Sequence, residues 1–170
     1  MIARVVKQLC SIVSETILVT NTPQQFAFLG LPMVRDIYPG IGTLGGLHAG
    51  LSSIRAPYGL AVGCDMPFLS RDLLQFMISL QNGYDIVMPR IGPHYEPLHA
   101  IYSRRCLPVI EQRIKAGKRR MLSISQGLHV RYVDEAEITT YDPHKLSFFN
   151  VNDPQDLIRM RSMLEKRKEN

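Results

Sequence analysis

Asp65 has the setting in this sequence that most directly suggests chemistry. It follows the apolar run Leu60-Ala-Val-Gly-Cys64, and Pro67 turns the chain two residues later, leaving a carboxylate at the lip of a sheet. In open α/β sheets, ligands bind beyond the carboxyl ends of the strands. A carboxylate there suits Mg²⁺, which keeps several waters and bridges to substrate phosphates with only one or two protein ligands. The same residues also read as a turn whose Asp satisfies nearby backbone donors. Asp36 ends a shorter apolar segment in a comparable way, able to accept hydrogen bonds from a base or ribose, or simply to cap its own loop. Between them, Gly40-Ile-Gly-Thr-Leu-Gly-Gly46 lets a ligand approach the backbone and leads into a helix whose amino terminus favours an anion. Gly40, Gly42 and Gly45 spell the dinucleotide fingerprint GxGxxG, with Asp65 about twenty residues on. That fingerprint needs a strand running straight into its first glycine, and residues 36–39 intervene. A nicotinamide-dependent Rossmann enzyme therefore ranks below other nucleotide-binding arrangements, and a glycine cluster also serves as plain turn chemistry.

Further candidates are spread along the chain. In Glu96-Pro-Leu-His99, the histidine reads as a ligand contact or, more simply, as a satisfied core residue. His48, His94, His129 and His144 lack metal-ligand spacing, and no GxSxG nucleophile turn occurs. Arg119 and Arg120, just past Gly117, suit a bidentate phosphate clamp or a solvated basic surface. Asn150 and Asn152 place two amides on one face of an extended segment, as substrate-orienting groups or as ordinary turn residues before a helix.

The elements that must position these groups alternate between helical and extended patterns. Ile2, Val5, Val6, Leu9, Ile12 and Val13 recur at helical spacing. Residues 16–20 and 33–35 read as short strands, with a brief helix from Pro23 to Gly30 between them. A helix over 44–54 leads to a buried strand over 58–63. Ser70 caps a helix over 71–81, followed by strands over 84–88 and 97–102. A helix over 104–116 with Pro108 near its start, a strand over 128–133 and a last helix opened by Asp153-Pro154 complete the pattern. This alternation predicts one three-layer α/β domain with a mainly parallel sheet.

Composition sets the outer limits. A length of 170 residues suits one domain built on one core. No run of eighteen apolar residues and no signal-peptide pattern occurs, so a soluble cytoplasmic protein without membrane contact is expected. Cys10, Cys64 and Cys106 are odd in number and widely spaced, which argues for buried reduced thiols. The net charge of +5 gathers at residues 118–120 and in the tail Lys166-Arg167-Lys168. Without an aromatic-rich basic strand or helix-turn-helix pattern, that charge points to a small phosphorylated ligand as readily as to nucleic acid.

Taken together, Gly42-Thr-Leu-Gly-Gly46, Leu47-His-Ala-Gly-Leu51, Cys64-Asp-Met-Pro-Phe68, Glu96-Pro-Leu-His-Ala-Ile-Tyr-Ser103, Ala116-Gly-Lys-Arg-Arg120 and Phe149-Asn-Val-Asn-Asp-Pro154 closely resemble the molybdenum cofactor guanylyltransferases, in the family's order and over nearly the whole chain. Single motifs are shared with sugar-nucleotide and cytidylyl transferases; the Glu-Pro-Leu-His and Asn-x-Asn segments narrow the match. The resemblance implies transfer of GMP from GTP to molybdopterin or its molybdenum form, with Mg²⁺ and release of pyrophosphate, in molybdopterin guanine dinucleotide biosynthesis. It implies Asp65 as the catalytic, metal-binding carboxylate, Asn21, Asp36, Gly45 and Asp65 as nucleotide-binding positions, and Arg119, Arg120, Asn150 and Asn152 as pterin-binding positions. Thr43 stands where the family often has proline.

Family members open with a buried strand, a Leu-Ala-Gly-Gly loop, an Arg and a Lys that together hold the triphosphate. Met1 aligns after all of these, so a fold lacking its first strand is expected, inactive or impaired for want of the donors that stabilise charge on phosphorus. Two alternatives stand beside this expectation: another nucleotidyltransferase, cytidylyl or sugar-nucleotide, or a non-catalytic module that binds pterin and docks on a molybdoenzyme or a cofactor-biosynthesis protein.

Overall fold

The computed structural model describes residues 1–166; Arg167 and Lys168 of the basic tail lie outside the described residues. Among the described residues, seven strands form two sheets. β1 (Leu18–Val19) and β2 (Met33–Val34) pair in parallel. The larger sheet holds β3 (Tyr58–Val62), β4 (Ile86–Ile91), β5 (His94–Tyr95), β6 (His99–Ser103) and β7 (Val130–Val133). β6 lies antiparallel between β3 and β4, while β7 runs parallel on the other side of β4. β3, β4 and β7 thus share one direction, and the sheet is mixed where β6 and the β4–β5 hairpin enter it.

Alternation along the strands divides the core into two layers. Ile86 and Met88 of β4, with Ala100 and Tyr102 of β6, pack under α2 (Thr43–Ser53) and α4 (Leu107–Lys115) through Leu44, Leu47, Leu51, Ile110 and Ile114. Val87 and Ile101 point the opposite way, onto α1 (Ile2–Leu9), α3 (Arg71–Ser79) and α5 (Glu135–Tyr141) through Val5, Leu73, Leu74, Met77 and Ile138. The expected three layers are present. α6 (Pro154–Lys166) opens as its sequence suggests, with Asp153 accepting the Asp156 N–H.

Several boundaries differ from the sequence reading, each for a local reason. The segment after Thr22 is a 3-10 helix, Pro23–Leu29, closed by Gly30 in a left-handed conformation. A 3-10 turn, Arg104–Cys106, precedes α4, which starts at Leu107 because Pro108 fits only a first turn. β5 is two residues long and follows Gly92 at positive φ, too short to show periodicity. α5 also escapes the apolar pattern; its signal is the reciprocal cap in which Asp134 accepts from Glu137 N–H and Glu137 accepts from Asp134 N–H. Pro89 sits where β4 changes partner, from β6 at Val87 to β5 at Arg90, so its missing donor falls at the break in the ladder. Cys106 is buried as expected, whereas Cys10 and Cys64 are exposed.

Ser70 joins three elements. Its hydroxyl accepts from Leu73 N–H at 3.2 Å and donates to Tyr141 C=O at 2.9 Å, while its own N–H donates to Ser147 Oγ at 2.8 Å. Ser70→Ala removes the cap and leaves the Tyr141 carbonyl without its donor. A loss of about 1–2 kcal/mol is expected in urea unfolding.

Candidate functional site

The ends of three strands bring together residues far apart in sequence. Asn21 follows β1, Asp36 follows β2, and Asp65 follows β3. β1 and β2 are parallel, so Asn21 and Asp36 emerge at one end of their sheet; α2 starts beside Asp36, at Gly46, and ends against the start of β3, where a Cβ on Gly59 would meet Leu51 and Ile54, so β3 runs back toward that end before Asp65. This is the end where doubly wound sheets bind ligands.

Asn21 and Asp36 form a reciprocal pair. The Asn21 amide donates to Asp36 Oδ2 at 2.9 Å, and Asp36 N–H donates to Asn21 Oδ1 at 3.1 Å. Oδ1 of Asp36 stays available and would lie 3.8 Å from a Cβ built on Gly46, placing the carboxylate beside the first turn of α2. Gly42 precedes that turn at φ 75°, a conformation an L side chain rarely adopts. Gly45 is buried, and a Cβ there would meet Tyr38 C=O at 3.1 Å and Ile41 Cβ at 3.2 Å. Packing of the 38–41 loop thus accounts for this glycine, whether or not a nucleotide also approaches it.

Asp65 is half-buried, and its carboxylate makes no hydrogen bond or ion pair among the described residues. Its position is fixed through the backbone: Gly63 N–H donates to Leu98 C=O at 2.9 Å, and Asp65 C=O accepts from Val151 N–H at 3.0 Å. A Cβ on Gly63 would lie 2.5 Å from Asp65 Oδ1, so the carboxylate folds into the notch that only glycine leaves. Sequence reasoning treated Gly63 as a strand end; its pairing with an acid two residues on was the available signal. The Cys64 thiol is pushed up in pKa, first by partial desolvation and then by the Asp65 charge, against a smaller opposing backbone hydrogen bond. It remains a neutral thiol at neutral pH, unsuited to nucleophilic attack.

The Asp65–Val151 bond draws the Asn150 segment to this end of β3. Asn150 Oδ1 is buried without a partner among the described residues, whereas Asn152 is exposed. Arg119 and Arg120 are also exposed, in the segment between α4 and the 3-10 helix Met121–Ser125. No ion pair joins either arginine to Asp36 or Asp65 among the described residues. No group of three or more His, Cys, Asp or Glu side chains able to hold a metal occurs among the described residues, so a cation held at Asp65 would take most of its ligands from outside the protein. That fits a hard, water-keeping ion that takes its remaining ligands from substrate phosphates. No strand runs into Gly40, because β2 ends at Val34 and the chain then bends, so the dinucleotide fingerprint lacks its structural context.

Residues 1–131 match the MobA-like NTP transferase domain. The chain belongs to that family. It is 36% identical to a probable molybdenum cofactor guanylyltransferase of Pelotomaculum thermopropionicum over 97% of this chain and 80% of that protein. A molybdenum cofactor guanylyltransferase of Desulfosudis oleivorans is 32% identical over 97% of this chain and 82% of its own length. The crystal structure of molybdopterin-guanine dinucleotide biosynthesis protein A from Archaeoglobus fulgidus superposes with a TM-score of 0.79 at 26% identity, covering 95% of this chain and 85% of that one. The MobA-like assignment accounts for the mixed three-layer sheet and makes the carboxyl ends of β1, β2 and β3 the place to seek nucleotide chemistry.

Within this MobA-like fold His99 is a core residue, but not a satisfied one. It is fully buried against the Phe148 ring, 5.0 Å between centroids, and neither ring nitrogen has a partner among the described residues. Burial lowers its pKa to about 4, with the Asp142 charge opposing. Folded His99 therefore stays neutral while the unfolded histidine takes up a proton below about 6.5. The stability it allows is fully present above that pH and is lost as pH falls toward 4, by a total of about 3 kcal/mol. Urea unfolding at pH 7 and pH 5 is expected to show a smaller difference for His99→Leu than for the parent chain.

Proposed function

We propose that this chain is a molybdenum cofactor guanylyltransferase, binding GTP and molybdopterin and building the phosphoanhydride bond of molybdopterin guanine dinucleotide. The observation that carries this reading is the unpaired Asp65 carboxylate in its Gly63 notch, at the same end as the Asn21–Asp36 pair and the amino terminus of α2. Mg²⁺ bound at Asp65 would neutralise phosphate charge and orient the reacting groups. The free oxygen of Asp36 accepts from guanine or ribose donors, and Asn21 holds that carboxylate in place. The first turn of α2 presents unpaired N–H groups to phosphate. Arg119, Arg120, Asn150 and Asn152 hold the pterin side, where the terminal phosphate oxygen attacks the α-phosphorus in line as pyrophosphate leaves.

Among the described residues, no glycine-rich backbone cradle with a lysine stands between the ends of β1 and β3. Recognition and turnover are accordingly tested apart. Calorimetry with GTP and Mg²⁺ is expected to show binding that Asp65→Asn and Gly63→Ala each weaken by about tenfold or more, without a matching loss of thermal stability. Unchanged affinity in both variants would remove the site. Tighter binding of CTP than of GTP would redirect the reading to a cytidylyltransferase, and pterin binding without any nucleotide binding would favour a non-catalytic module. Absence of pyrophosphate release from GTP and molybdopterin with Mg²⁺, despite GTP binding, would count against the transferase reading.

A further inference from the structure

A closed circuit of contacts lies beneath the Asp65 rim. The His99 ring packs on Phe148, Val151 N–H donates to Asp65 C=O, and Gly63 N–H donates to Leu98 C=O, which leads back to His99. Only Phe149 and Asn150 lie between Phe148 and Val151 in this circuit. The backbone at Phe149 is extended, so the side chains of Phe148 and Asn150 share one side and that of Phe149 takes the other. Accordingly the Phe149 ring turns to Phe68, 5.8 Å between centroids, and Asn150 is left on the His99 side.

Polar atoms of these two residues are buried together. Asn150 Oδ1 and both ring nitrogens of His99 have no hydrogen-bond partner among the described residues. The other buried polar groups of this layer are occupied: Asp142 accepts from Leu146 and Ser147 N–H, and the Ser147 hydroxyl accepts from Ser70 N–H. The Asn150 amide nitrogen, by contrast, is the end of that half-buried side chain that reaches solvent. Burial keeps the His99 ring uncharged at neutral pH, so one nitrogen donates and the other accepts. A water both donates and accepts, and therefore satisfies the ring and the carbonyl oxygen whichever nitrogen carries the proton.

We propose that His99 is a positioning residue for Asn150: through one buried water it holds Oδ1 inward, and so keeps the Asn150 NH₂ group facing out at the Asp65 end of the sheet. Turned that way, the amide offers donors to an acceptor oxygen on the substrate. Rotated by half a turn, it would offer an acceptor instead and repel a phosphate oxygen. The relay selects between two amide orientations of nearly the same shape, which packing alone does not distinguish. His99 touches no substrate, and its influence passes through the amide. The consequence for substrate binding rests on the reading of Asn150 as a molybdopterin contact, whereas the relay itself does not.

NMR on the ¹⁵N-labelled chain without ligand tests the relay. The His99 ring protons are expected to show a cross-peak to a bound water that Asn150→Leu abolishes. The Asn150 side-chain NH₂ signals are expected to shift in His99→Leu and to return most of the way in His99→Gln, which restores a polar group. In turnover, His99→Leu is expected to raise the KM for molybdopterin by about tenfold, with His99→Gln recovering most of it, while GTP affinity by calorimetry stays within about twofold. The relay is overturned if the parent ring shows no bound water, or if the Asn150 signals are the same in His99→Leu as in the parent. Parallel losses in molybdopterin KM and GTP affinity would overturn the positioning role, since general loosening of the fold moves both. The NMR arm needs no substrate, so the relay and the transferase reading fail separately.

Discussion

The arrangement rests on β6. Its five residues are wholly buried and bond on both sides, to β3 along its length and to β4 at Ile101 and Tyr102. Because the Gly63–Leu98 bond ends the β3 ladder, the same strand that joins the sheet also fixes the height at which Asp65 leaves it. The turn into β6 is itself held from within, by Tyr102 hydroxyl donating to Pro97 C=O at 2.8 Å and His99 N–H donating to Glu96 C=O at 3.0 Å. The Glu96-Pro-Leu-His segment is therefore a structural joint under the site, and its fully buried histidine is out of a ligand's reach.

Much of this was legible in the sequence where one residue type has one physical job. Ser70 caps α3, Pro108 marks the first turn of α4, and the alternation of helices and strands gives three layers. The placement of Asn21, Asp36 and Asp65 at strand ends followed from the same pattern. Short elements were not legible: the β4–β5 hairpin and the seven-residue α5 announce themselves by turn and cap chemistry, with no apolar repeat to read. The role of Gly63 and the burial of the Asn150 carbonyl depend on contacts between distant segments, which a linear reading does not contain.

Polar burial is concentrated in the layer that faces α3 and α5. Asp142 is buried and accepts from the N–H groups of Leu146 and Ser147, so its charge is spread over backbone donors. His99 sits near that charge with no hydrogen-bond partner for either ring nitrogen among the described residues. On the other face the buried His48 ring meets the partly exposed Glu111, Nε2 to Oε1 at 3.2 Å, linking α2 to α4. Removing Glu111 would leave the buried His48 nitrogen without that partner, whereas Glu111 itself keeps contact with water.

Pro89 has a further consequence. Beyond it, β4 and β5 form a ribbon paired only at Arg90–Tyr95 and Ile91–His94, and a two-stranded ribbon of this size is marginal on its own. Side chains help tether it: the Tyr132 ring meets both Tyr95, 5.2 Å away, and the Arg90 guanidinium, 5.9 Å away. One tyrosine of β7 thus couples both strands of the ribbon to the parallel pair it extends.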